Sequence, residues 1–271
     1  MDQRLVTNRA NWDERTGVHL ASQFYDVQGW LHRAPGPRPE EVDAIGDMSG
    51  LRLVHLQCHI GLDTLQLARA GARVTGLDFS PAAIRAAQDL ADRAGLAGQA
   101  RFVCAEVYDA VNVLGPQTFD IVYVSFGALC WLPSVDRWAE QVYALLAPGG
   151  RLYLHDQHPV EWALADTEAV FRHPYFEESD PYVDDAGETY TDGDGPLVNR
   201  RNYQWNHGLG ETVTALIRHG LHLDSLVEDD WTEGNRFPFL VVTDEHHWTT
   251  PPGMPRLPLS FTVLAHRPPD R

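Results

Sequence analysis

The spacing of apolar and polar positions changes several times along this chain, and each change marks an element. Residues 8–31, NRANWDERTGVHLASQFYDVQGWL, read as one or two amphipathic helices. The Pro-rich stretch HRAPGPRPEE that follows reads as a linker. From residue 51 onward, short apolar runs alternate with helical patterns. Strands are predicted at 51–56, 73–77, 100–104, 119–125 and 150–155, with helices at 62–70, 81–94 and 134–147. Ser80 can cap the helix that opens at Pro81, because proline fits a first helical position. Pro148-Gly149-Gly150 stops the helix before the fifth strand. Strict alternation of this kind implies a parallel sheet with right-handed crossovers.

After residue 156 the alternation breaks. Residues 157–206 and 229–256 carry little periodicity and many aromatic side chains, and are expected to be insertions. Between them lie a predicted helix at 209–219 and a strand at 222–228, and 259–266 reads as a last strand. The chain therefore divides into an N-terminal helical lid and linker (1–40), an α/β core (41–156), and a part carrying the insertions and the last two strands (157–271).

Composition narrows the function. A formal net charge of −17 over 271 residues argues against a surface that tracks nucleic-acid phosphates. All 21 basic residues are arginine, which removes Schiff-base chemistry and a phosphate-loop lysine. Three well-separated cysteines, Cys58, Cys104 and Cys130, suit a reducing compartment. With a polar N-terminus and no apolar run of membrane-spanning length, the expectation is a cytoplasmic protein, monomer or homodimer, without membrane or nucleic-acid partners. The acidic stretch from Glu177 to Asp194 disfavours acidic macromolecular partners.

The chemistry should gather beyond the carboxyl ends of the strands. In a dinucleotide site the first turn reads G-x-G-x-x-G, but here those positions hold Gln57, Cys58 and His59, and only Gly61 remains. Asp78 ends the second strand, where a carboxylate can take both hydroxyls of a ribose; a capping role is the alternative, although Ser80 already fills it. Glu106 ends the third strand, placed to accept from an adenine amine beside the Val107 backbone N–H, or else simply to lie on the surface.

These segments resemble the class I S-adenosylmethionine-dependent methyltransferases. VTGLDFSPAAI is similar to that family's second-strand segment, FDIVYVSFGALCWL to its fourth, and LLAPGGRLYLHD to its helix-to-fifth-strand turn. Where the family reads roughly D-x-G-x-G-x-G, this chain has His55-x-Gln57-x-His59-x-Gly61. The resemblance covers about residues 50–156. It implies a Rossmann-like, doubly wound, mostly parallel seven-stranded sheet with an antiparallel last strand, and S-adenosyl-L-methionine as cofactor. Carried onto this chain, it implies cofactor contacts at Gln57, Cys58, His59, Gly61, Asp78, Phe79, Glu106, Val107 and Ser125. A ligand without a pyrophosphate needs less bare backbone, so Gln57 and His59 can offer side-chain hydrogen bonds instead.

The resemblance implies methyl transfer to an O or N atom, or C, of a small apolar or aromatic molecule. Trp12, His19, Tyr25, Trp131, Trp205 and Trp231 are the expected substrate contacts, with simple packing as the alternative for each. Displacement at a sulfonium needs alignment, dryness and, for a weak acid, a base. His158, after the fifth strand, and His207, before the 209–219 helix, are the candidate bases. His246-His247 invites a metal reading, but strand neighbours point to opposite faces and no ligand set accompanies them, so no metal is expected. Competing readings are a peptide or protein carboxylate methyltransferase, a nicotinamide-dependent oxidoreductase, and a non-catalytic cofactor-binding module.

Overall fold

The computed structural model describes residues 2–192, 197–243 and 247–270. The N-terminal part forms helices α1 (Gln3–Ala21), α2 (Val27–Arg33) and α3 (Pro39–Ile45). The core then runs β1 (Arg52–Leu56), α4 (Leu62–Arg69), β2 (Arg73–Asp78), α5 (Pro81–Arg93) and β3 (Ala100–Cys104). It continues through α6 (Ala110–Leu114), β4 (Phe119–Val124), α7 (Val135–Leu145) and β5 (Leu146–Gln157). Beyond it lie α8 (Pro159–Ala163), β6 (Tyr182–Asp184), β7 (Asn202–Gln204), α9 (Leu209–Arg218) and β8 (His222–Asp229). β9 (Trp231–Thr232), β10 (Val241–Val242), β11 (Trp248–Thr249) and β12 (Ser260–His266) complete the order.

The main sheet has seven strands in the order β3-β2-β1-β4-β5-β12-β8. β1 pairs in parallel with β2 and β4, while β12 runs antiparallel to both β5 and β8. The strand order reverses at β1, so the carboxyl ends of β1 and β4 flank a crevice, the usual ligand position in such sheets. From Leu53 to Leu56, strand β1 is buried on both faces, which explains its apolar character, interrupted only by the buried His55. Leu53 packs with Leu65 and Leu90 on one side of the sheet, while Val54 and Leu56 pack with Trp138 and Val142 on the other.

The linker expected after residue 31 is partly helical. Pro39 opens α3, and Glu41 reaches back to the Arg38 backbone N–H at 2.8 Å. The helix signal at 8–31 resolves into α1 and α2, with α1 beginning earlier than expected because Asp2 caps it through Arg4 N–H at 2.9 Å. β7 is held to α1 by a reciprocal pair of 2.8 Å bonds between the Asn8 amide and the Tyr203 backbone. α1 and the first insertion are therefore joined. His246 lies outside the described residues, so the His246-His247 pair is not described.

Candidate active site

The turn after β1 keeps a glycine-like backbone without the glycines. Gln57, His59 and Gly61 all adopt positive φ, at 58°, 50° and 77°. For the two non-glycine residues this left-handed conformation costs about 1–2 kcal/mol each. Gly61 is retained for a packing reason: a Cβ there would stand 2.7 Å from the Phe102 ring and 3.0 Å from Ala87. At the other two positions the side chains find partners. Gln57 Nε2 donates to the Ala128 carbonyl at 2.7 Å, and His59 Nε2 lies 2.8 Å from His19 Nδ1. Burial holds His59 down at about 3 and His19 at about 2, so both rings are neutral and share one N–H···N bond.

His55, where the family has an acid, joins a polar chain. Its Nδ1 lies 2.8 Å from Thr64 Oγ1, its Nε2 lies 3.1 Å from Ser125 Oγ, and that hydroxyl donates to Asp63 Oδ2 at 3.1 Å. Burial pushes His55 down to about 3 and Asp63 up to about 6. Asp63, in the first turn of α4, thus brings a carboxylate to His55 through the Ser125 hydroxyl.

Asp78 ends β2 and accepts from the His59 and Ser80 backbone N–H groups, both at 2.9 Å. Burial raises its carboxyl to about 6 against those bonds. Glu106 follows β3, and burial raises it too, with Asp109 adding to the shift. Past β4, the Asp156 carboxylate accepts from the backbone N–H groups of Gly127, Ala128 and Leu129 at 2.6–3.2 Å, which shapes the loop that carries Trp131. Asp156 is thus structural.

A cavity of about 1080 Å³ opens over these strand ends. All nine expected cofactor contacts line it: Gln57, Cys58, His59, Gly61, Asp78, Phe79, Glu106, Val107 and Ser125. Trp12, Tyr25, Trp131 and Trp205 line it as well. The volume lies at the upper end of the usual ligand-pocket range of roughly 300–1000 Å³, room for a nucleoside-sized ligand and a second molecule.

Four expectations need correction. His19 is fully buried behind His59, with Nε2 2.6 Å from Thr189 Oγ1, and it does not line the cavity. Trp231 stacks on His247 with ring centroids 3.8 Å apart, outside the lining. Neither proposed base reaches the cavity. His158 caps α8, accepting from Val160 N–H at 3.1 Å, while its Nε2 meets Glu228 at 2.8 Å. His207 Nε2 donates to the Leu132 carbonyl at 2.7 Å, and its Nδ1 faces Glu177 at 3.2 Å. With both ring nitrogens engaged, these histidines hold loops.

The sequence reading missed Arg15, Asp63, Trp162, Tyr190 and Arg236, all of which line the cavity. For Arg15 a signal existed: it lies three residues after Trp12 and four before His19, on one face of α1. Arg236 and Tyr190 stand in aperiodic stretches whose course only the fold defines.

The residues present suit a nucleoside with an amino-acid tail. A carboxylate stands at the ribose position, and the buried Gln57 Oε1 beside the turn lacks a partner among the described residues. Residues 54–150 match the model of a family described as a methyltransferase domain. A ubiquinone biosynthesis O-methyltransferase from Methylobacterium sp. (strain 4-46) is 31% identical over 144 residues, 52% of this chain and 56% of that protein. The match thus spans little more than half of that relative. Among solved structures, an S-adenosylmethionine-dependent methyltransferase from Mesorhizobium loti superposes with a TM-score of 0.56 at 22% identity, covering 84% of this chain and 96% of that one. One from Methanosarcina mazei gives 0.57 at 18% identity, over 87% and 100%. At such identities the two structures speak for the fold. Residues 54–150 thus match a methyltransferase domain, and the chain shares the fold of these two structures.

Proposed function

We propose that this protein transfers a methyl group from S-adenosylmethionine to an oxygen or nitrogen atom of a small, apolar or aromatic molecule. The observation that carries the reading is a single cavity whose lining runs from Asp78 and Glu106 to the rings of Trp12, Tyr25, Trp131 and Trp205. The expected cofactor contacts and the aromatic rings thus share one cavity. The cofactor, when bound, supplies an electrophilic methyl group on a sulfonium. The chain's own residues bind and align: Asp78 takes ribose hydroxyls, Glu106 an exocyclic amine, and α1 with the 171–192 insertion excludes water. Effective alignment alone lowers such barriers substantially, on the order of 7–11 kcal/mol at best. The name of the Methylobacterium relative, an O-methyltransferase of ubiquinone biosynthesis, supports oxygen as the acceptor atom.

Melting curves with S-adenosylmethionine, S-adenosylhomocysteine and NAD test the cofactor. A ligand at a hundred times its Kd stabilises the native state by about 2.7 kcal/mol. The first two are expected to raise Tm, and NAD is not. Radiolabelled methyl transfer to a panel of phenols and aryl amines then tests the acceptor. Stabilisation by NAD alone would overturn the reading.

A further inference from the structure

In this strongly acidic chain the cavity lining nevertheless holds two arginines, Arg15 from α1 and Arg236 from the segment after β9. Arg15 is 5% exposed, and its Nε has no hydrogen-bond partner among the described residues. Its polar contact there is a weak 3.5 Å bond from Nη2 to the Glu188 carbonyl. The guanidinium instead lies over the rings of Trp12 and Trp131, 5.3 and 5.5 Å from their centroids. Arg236 lies 3.9 Å over the Trp162 ring. Among the described residues neither arginine has a carboxylate within ion-pair distance, whereas Arg38, Arg52 and Arg201 do.

A buried guanidinium without a counter-ion is costly, and it is retained where a ligand completes it. Burial already weakens the hold of Arg15 on its proton. Both guanidiniums line the same cavity, each laid over tryptophan. The ring faces beneath them leave the guanidinium edges for hydrogen bonding, and a planar fork fits a carboxylate. The same lining carries nine acidic side chains, Asp184 and Glu188 among them, so an anion is confined to the two guanidiniums and a monoanion is favoured over a phosphate dianion.

We propose that the methyl acceptor is an aromatic carboxylic acid, its carboxylate seated on Arg15 and Arg236 and its ring packed among Trp12, Trp131 and Trp162. This rests on the methyl-transfer reading above and deepens it. Of the acidic stretch from Glu177 onward, Glu178, Asp180, Asp184 and Glu188 line the cavity, whereas Asp185 and Asp192 lie outside it, held by Arg201 and by the Gln23 and Phe24 backbone.

The test is calorimetric titration of protein saturated with S-adenosylhomocysteine, using 4-hydroxybenzoate, 4-hydroxycinnamate and their primary amides as probes. The acids are expected to bind at least about tenfold tighter than the amides, the worth of one charge-assisted pair. Arg15→Gln and Arg236→Gln should each erase that preference and leave S-adenosylhomocysteine affinity unchanged. Arg236 is half-buried, so its variant remains informative even if Arg15→Gln fails to fold. Equal binding of acids and amides, or binding of neither, overturns the proposal. So does an Arg15→Gln variant that loses S-adenosylhomocysteine affinity but keeps that for 5′-methylthioadenosine, because Arg15 would then serve the cofactor's own carboxylate. If S-adenosylhomocysteine fails to bind while the acids still need both arginines, the methyl-transfer reading falls and the anion seat stands.

Discussion

His19 in α1, fully buried, and the half-buried His59 in the turn after β1 are joined by one N–H···N bond of 2.8 Å. This bond connects α1 to the turn that lines the cavity at the end of β1. On the same residue, the His59 backbone N–H is held by Asp78 at 2.9 Å. His59 therefore ties three elements together, and the strain of its positive φ is the cost of that tie.

Replacing His59 by glycine separates the two effects. The backbone strain is relieved by about 1 kcal/mol, but His19 is left with an unsatisfied buried nitrogen, a loss of roughly 1–3 kcal/mol. The net expectation is a modest fall in stability concentrated in α1. Hydrogen exchange is the measurement: α1 amides should exchange faster in His59→Gly while β1 and β4 keep their protection. Unchanged protection in α1 would show that Asn8, Asn11 and Glu14 hold the lid without the histidines.

Asp78→Asn should weaken S-adenosylhomocysteine binding by roughly tenfold to hundredfold, since each charge-assisted hydrogen bond to ribose is worth about 1.5–3 kcal/mol. The asparagine oxygen can still accept from His59 or Ser80, so Tm should fall only a few degrees. Glu106→Gln should lose less affinity, because an exocyclic amine offers fewer contacts. Titration calorimetry on both variants ranks them, and an equal or larger loss at Glu106 would reverse the assignment.

Much of this architecture was legible in the chain before its coordinates. The core strands and helices follow from alternating period, and Ser80-Pro81 begins α5 where the capping pattern places it. The wall of the cofactor side was legible too, because Gln57 to Gly61, Asp78 and Glu106 all sit at strand ends. The lid side was not. Residues 171–192 and 233–240 have no period from which to infer which side chains turn inward, so Arg236 and Tyr190 were invisible while Trp231 was misplaced. Position after a strand also misled for His158: its ring turns back to cap α8, as a residue before Pro159 at a helix start is apt to do.

The two rejected bases carry their own prediction. His158→Ala and His207→Ala should lower stability by about 1–2 kcal/mol each, through a lost cap and a lost loop anchor respectively. S-adenosylhomocysteine affinity should stay within about twofold. Chemical denaturation beside calorimetry reads both quantities. A variant with normal stability but impaired ligand binding would return its histidine to the site.

Glu161 gives a pH-dependent prediction. It is fully buried in α8, its Oε2 has no partner among the described residues, and burial pushes its carboxyl from an ordinary 4.5 up to about 8, with Arg236 opposing. Between those values the folded protein holds a proton that the unfolded chain has released. Stability from this group is therefore lost as pH rises from about 4.5 to about 8, and it is level above that. Glutamine keeps the shape and the hydrogen bond from Thr232 but cannot ionise. Glu161→Gln should match the parent protein near pH 5 and exceed it near pH 8.5, by on the order of 2 kcal/mol. Melting curves for both proteins at the two pH values give the answer, and a gap that does not widen with pH would mean that Glu161 is ionised in the fold. That outcome would also place a charge beside Arg236, whereas a protonated Glu161 leaves Arg236 its full positive charge for a ligand in the cavity.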